Sequence, residues 1–247
     1  MEKQNIRLRR SEERGFEDFG WTDNWMTFSF ANYHDPEWMR FGPLRVIVEN
    51  NIQPHEGFDA HPHKDMEILT YVSSGVLTHG DNMDNTEEIG AGEMQCLTAG
   101  TGIVHSEKNE HDEVEHNIQI WIMPDKAGLE PGYQMKRLGE EERTGRLRHY
   151  VSNDGRNDTA SINQDVDIYA GVLPEGTTQR FEFKEHRGVW VQVVKGRVQL
   201  SGDIELRQGD GIGIEKLDEL SLKALEEGTE LILFDMAMNF ETPYRLG

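Results

Sequence analysis

Glycine-rich turns recur along this chain at intervals that leave room only for short strands. Ile68 to Val72, Val76 to His79, Met94 to Leu97 and Ile118 to Ile122 are short runs of mostly apolar residues. Ser73-Ser74-Gly75, Ile89-Gly90-Ala91-Gly92 and Ala99-Gly100-Thr101-Gly102 turn the chain between them. Ahead of these, Trp25 to Phe30 alternates large and small side chains, Gly42-Pro43 punctuates, and Leu44 to Val48 is another short run. Asn50 to Ala60 and the polar Gly80 to Glu88 are expected as loops, and Pro124 closes the set. Short, evenly spaced strands with turn signals between them build an all-β sandwich or barrel.

The same grammar returns in the second half. Val193 to Val198 around Gly196 parallels Tyr71 to Leu77 around Gly75, and Leu206 to Asp210 parallels Ile89 to Glu93. Ile212 to Ile214, Leu220 to Ala224 and Leu231 to Asp235 supply further strands. Order preserved in this way indicates two related barrels in tandem. The charged stretch Asp125 to Gly145, with Pro131, Gly132 and Gly139, is the expected link, which predicts units at 1–130 and 131–247. Its run Glu140-Glu141-Glu142 is expected as a solvated face. Residues up to about Gly20 carry no clear signal.

Within the first half, His61-Pro62-His63 and His105-Ser106-Glu107 carry the chemistry. Residues i and i+2 of a strand share a face, so each dyad aims two donor groups at one point. Facing each other, they offer three nitrogens and one oxygen, a set suited to a divalent first-row metal with open positions rather than to a closed, cysteine-rich structural zinc site. Pro62 cannot donate to a sheet ladder, which puts its segment at a strand start or a sheet edge. Counted from Gly196 and Gly209, the equivalent positions of the second half are Glu182, Lys184, Leu222 and Ala224, so that half lacks the ligands. The Gly100 to Gly102 turn suits a phosphate cradle poorly, since no Lys-Ser/Thr follows it.

Charge and cysteine content exclude several classes. The formal net charge of −21 disfavours contact with nucleic-acid phosphates and with anionic membranes. No apolar run has the length of a membrane span, and Met1 to Arg14 lacks a secretory core. The single cysteine, Cys96, permits no internal disulfide, so the cytoplasm is the expected compartment; Cys96 itself is expected in the core. His55, His79, His111 and His116 are expected as loop or surface residues, and Asn109 as a structural hydrogen-bonding residue. Trp121, Met94 and Phe58 either line a pocket for an aromatic ligand or pack the barrel.

These residues resemble the pirin family of bicupins. The resemblance rests on Phe28-Ser29-Phe30-Ala31, Phe41 to Val46, His61-Pro62-His63 to Tyr71, Thr98 to Glu107 and Gln119-Ile120-Trp121, over about residues 25 to 125. The second half shares only the layout, and bacterial quercetinase-like members look nearest. The resemblance implies an all-β fold of two tandem cupin (jelly-roll) barrels with one mononuclear metal, in the first. It implies His61, His63, His105 and Glu107 as ligands, with Fe(II) the expected metal and Ni, Cu, Mn, Co or Zn as alternatives. Glu67, a ligand position in general cupins, is expected beside the site, or else paired with a Lys or Arg.

Family members of the quercetinase kind open flavonols such as quercetin with dioxygen and release carbon monoxide. That makes a small aromatic substrate and dioxygen the expected partners and Glu107 the expected catalytic proton acceptor. Other members are described as transcriptional co-regulators. The alternative reading is therefore a metal-binding regulator that acts through a protein partner, and a third is another small-molecule cupin enzyme.

Overall fold

A computed structural model describes residues 5–201 and 203–244. The N-terminal part consists of β1 (Asn5–Arg9), β2 (Gly15–Asp18), β3 (Thr22–Met26), β4 (Leu44–Ile52), β5 (Gly57–His63) and β6 (Glu67–Ser74). It continues with β7 (Val76–Asp81), β8 (Thr86–Gly90), β9 (Met94–Thr98), β10 (Ile103–Lys108), β11 (Glu115–Ile122) and β12 (Gly132–Lys136). A seven-stranded sheet in the order β12-β9-β6-β11-β4-β3-β2 faces a four-stranded sheet in the order β5-β10-β7-β8. The second half repeats this plan with one seven-stranded and one four-stranded sheet. Gly75 and Gly196 share a φ of +78°, and Gly92 and Gly209 lie at +81° and +82°, so the paired turns need glycine for the same left-handed geometry.

Period-2 alternation decides where each side chain goes. Leu69, Tyr71, Met94, Cys96, Ile118 and Ile120 point outward from the first barrel. There they meet Tyr150, Ile168, Trp190, Ile232 and Phe234, so the two large sheets share one core. The inward positions differ between the barrels. The second barrel is filled by a continuous apolar cluster that includes Leu200, Leu206, Leu220, Leu222 and Ala224. In the first barrel the apolar residues form three separate clusters, around Ile52, Val72 and Leu77, around Ile68, Leu97 and Ile103, and around Met26, Val46 and Val48. Buried polar residues fill the interior between them.

Several sequence expectations shift. The strand expected over Trp25 to Phe30 ends at Met26; beyond it the backbone bonds irregularly, with Ser29 N–H donating to the Trp38 carbonyl at 2.7 Å. Part of the loop expected over Gly80 to Glu88 is strand β8, whose polar Thr86-Glu87-Glu88 sits on a sheet edge where apolar alternation is not required. β5 lies at the other edge of that sheet, as Pro62 requires. The two halves also exchange arms. β1 pairs with the Gly211–Glu215 strand of the second barrel, and β12, within the expected link, pairs with β9 of the first. Glu140–Arg143 forms a single helical turn, with Glu140, Glu141 and Glu142 exposed and Arg143 turned in to Glu230.

Candidate metal centre

β5 and β10 run antiparallel with His61 opposite His105 and His63 opposite Ile103. That register gathers His61, His63 and His105, whose ring centroids lie 4.6–4.8 Å apart. Their ligand atoms lie within 4.8 Å of one another, and no second cluster of this kind occurs among the described residues.

The donor set fits a metal. The Asp59 carbonyl accepts a hydrogen bond from His61 Nδ1 at 2.7 Å, which fixes the tautomer and leaves the Nε2 lone pair free. Both ring nitrogens of His105 are buried without a protein partner, an arrangement that costs desolvation energy unless something coordinates there. Burial, reinforced by the neighbouring imidazoles, pushes His63 down to about 4 and His105 down to about 3. Both rings are therefore neutral at neutral pH, the state in which imidazole ligates.

Glu107 follows at the next inward position of β10, past a bulge between His105 and Glu107. It is buried, and three donors from three other strands hold its carboxylate. Thr70 Oγ1 and Gln95 Nε2 each donate to Oε1 at 2.9 Å, and Gln119 Nε2 donates to Oε2 at 2.6 Å. Thr70 and Gln119 fall in stretches that resemble the family, but nothing local marks the three as partners of Glu107, because their convergence depends on barrel closure.

Glu67 stands apart from the triad. The chain leaves β5 at His63, turns through Asp65 at φ +49° and starts β6 at Glu67, so the face-sharing of a regular strand is lost. Its partners are neutral, not Lys or Arg: Thr98 Oγ1 donates at 2.8 Å and Asn163 Nδ2 at 2.9 Å. Burial pushes its carboxyl up.

His79 differs from its expectation as well. It is fully buried, with its ring 5.4 Å from His105 and stacked on Tyr133 at 4.7 Å. Its Nε2 lies 3.0 Å from Asp81 Oδ2. Burial would raise the Asp81 carboxyl, but His79, Asn85 and the N–H of Met83 hold it below its ordinary value. The available signal was positional: His79 falls two residues after the inward-facing Leu77. His55, His111 and His116 pair with Asp112, Glu88 and Glu49, outside the cluster. Asn109 ties the backbone, donating to the carbonyls of Ile52 and Glu113. Cys96 and Met94 are core residues. Trp121 stands near-perpendicular to His63 at 5.0 Å, and Phe58 lies 6.4 Å from His61, so both flank the centre.

Glu115, at the start of β11, is buried with Oε1 unpartnered and only Asn117 donating to Oε2. Burial pushes its carboxyl from 4.5 up to about 8, with Asn117 opposing and Glu107 adding to the rise. The folded chain thus keeps a proton that the unfolded chain has lost, so stability falls as pH rises from 4.5 to about 8. Glu115→Gln is expected to flatten that limb of the Tm–pH profile and to raise Tm at its upper end. A profile identical to the parent's would mean the carboxyl ionises within the fold.

The family model described as Pirin matches residues 7–122, and the model described as quercetinase C-terminal cupin domain matches residues 149–236. The chain is 42% identical over 232 residues to quercetin 2,3-dioxygenase of Escherichia coli K12, covering 94% of this chain and 98% of that one. It is 36% identical over 229 residues to the pirin-like protein of Caulobacter vibrioides, covering 92% and 97% of the two chains. The crystal structure of bacterial pirin YhhW from Escherichia coli in complex with nickel(II) superposes with a TM-score of 0.88 at 41% identity, covering 94% of this chain and 99% of that one. With two cupin barrels, a histidine triad in the first and relatives matched along nearly its whole length, the chain belongs to the pirin family.

Proposed function

We propose that this protein is a metal-dependent dioxygenase of the quercetin 2,3-dioxygenase type, which adds dioxygen to a flavonol, opens its central ring and releases carbon monoxide. The observation that carries the reading is the convergence of His61, His63 and His105, with both His105 nitrogens buried and partnerless. The 42% identity to quercetin 2,3-dioxygenase of Escherichia coli supports the choice of substrate class. Iron(II) is the proposed resident metal, with nickel, copper, manganese, cobalt and zinc as competitors, and Glu107 is the proposed fourth ligand. The two cupin units are proposed to divide near residue 130, each reaching one strand across to the other.

A metal bound to the triad would supply Lewis acidity that lowers the pKa of a flavonol hydroxyl. The protein supplies the rest. Thr70 and Gln95 fix Glu107 through Oε1, so Oε2, with one donor from Gln119, is the oxygen proposed to take up the hydroxyl proton. Trp121 beside His63 and Phe58 beside His61 are proposed to contact a flat polyphenol.

The test is quercetin consumption with carbon monoxide release by protein loaded anaerobically with each metal in turn. Glu107→Gln is expected to bind metal but to lose turnover by about 100-fold or more, the usual contribution of a positioned proton acceptor. Full turnover in that variant would remove Glu107 from the role. No carbon monoxide with any metal, despite stoichiometric loading, would reject the dioxygenase reading.

A further inference from the structure

A second concentration of charge lies outside the histidine strands, on β1, on the irregular segment that leads into β4 and at the start of β4 itself. In a chain of net charge −21, Arg7, Arg40 and Arg45 meet no carboxylate among the described residues. Their hydrogen bonds go to backbone carbonyls instead. Arg7 Nη1 donates to the Arg40 carbonyl at 3.1 Å and Arg40 Nη1 to the Gly42 carbonyl at 2.8 Å. Arg45 Nη1 donates to the carbonyls of Ser29 at 2.6 Å and Met39 at 3.0 Å. Aromatic rings steady two of the guanidiniums: Arg7 lies over Trp38 at 4.6 Å and Arg40 over Phe240 at 5.5 Å. Asp35, in the same irregular segment, is committed to Arg9 at 3.3 Å, and Glu37 gives Arg7 Nη2 only its backbone carbonyl.

Carbonyl bonds and ring faces hold a guanidinium in place without neutralising it. Arg40 is held below its ordinary value by burial and by Arg7, and Arg45 by burial and by Arg40, so Arg40 stands between two like charges. Half-buried like charges that the fold fixes in position, with donors left over, are arranged for a ligand that brings the missing negative charge. Guanidinium forks match oxyanions in shape and pair with them more strongly than with neutral acceptors.

We propose that Arg7, Arg40 and Arg45 form a binding site for a doubly charged phosphoryl-type oxyanion, separate from the metal centre. The ligand is either free inorganic phosphate or the phosphoryl group of a phosphomonoester. Isothermal titration of the full-length protein with inorganic phosphate, at ionic strength matched with sodium chloride, is expected to give saturable binding. Arg7→Gln and Arg40→Gln should each weaken it by about tenfold or more, the worth of one charge-assisted contact. Glycerol 2-phosphate is the second probe: equal affinity identifies a phosphomonoester site, and binding of phosphate alone identifies a site for the free ion. Both variants leave the histidine triad intact, so phosphate binding that persists unchanged in them overturns the proposal. Absence of saturable binding to the parent protein overturns it as well. Near-UV circular dichroism of both variants in phosphate-free buffer checks that their fold is retained.

Discussion

His105→Ala is expected to abolish stoichiometric metal binding, and with it the activity, while the barrels still fold. His105 is the buried member of the triad and stands opposite His61 across the β5–β10 ladder. Its loss removes one of three nitrogens from a site whose remaining imidazoles are half-buried. Removing a group that only orients a metal ligand costs about 10–100-fold in metal affinity, so loss of a ligand itself should exceed about 100-fold. The fold should survive, because an imidazole with two unpartnered buried nitrogens contributes little to the metal-free protein. Two measurements separate these effects. Metal per chain, by elemental analysis after anaerobic loading, should fall from one to near zero. The rise in Tm that metal gives the parent, which follows from binding the folded state alone, should disappear. A variant that kept both would exclude His105 as a ligand.

Trp190→Ala is expected to cost about 3–5 kcal/mol of stability, the range for truncating a large buried aromatic residue. Trp190 belongs to the second barrel, is fully buried, and packs at centroid distances of 4.9 Å on Phe28 and 5.6 Å on Phe41 of the first half. The neighbouring strand is shaped for these rings: a Cβ at Gly211 would lie 2.4 Å from Trp190, and one at Gly213 2.6 Å from Phe41. The cavity therefore opens where the two large sheets share their core, and it should destabilise both barrels together. Denaturant unfolding followed by fluorescence and by far-UV circular dichroism should show one transition, moved to lower denaturant in both signals. A shift in one signal only would mean that the barrels unfold separately and that the shared core couples them weakly.

Local features of the sequence account for much of this molecule. Turn glycines and short branched runs set an all-β chain with a tandem repeat, since turn geometry and strand preference act over a few residues. The spacing of His61 with His63 put two imidazoles on one face, because a period of two needs only the strand itself; bringing His105 opposite them took the β5–β10 register. The same alternation left Leu222 and Ala224 where the second barrel has only apolar filling.

Tertiary structure decided what long-range pairing controls. The anchoring of Glu107 by Thr70, Gln95 and Gln119 requires β6, β9 and β11 to close around β10. The burial of His79 follows from the pairing of β7 with β10, not from its polar neighbours in sequence. Glu67 leaves the histidine face because one left-handed residue, Asp65, ends the strand before it. The exchange of β1 and β12 between the halves depends on sheet edges that exist only once each barrel has formed, so no local pattern carries it. Strand alternation is a property of neighbours a few residues apart. The contents of a barrel interior, and the partners at its edges, are set by strands separated by tens of residues, and only the closed fold brings those together.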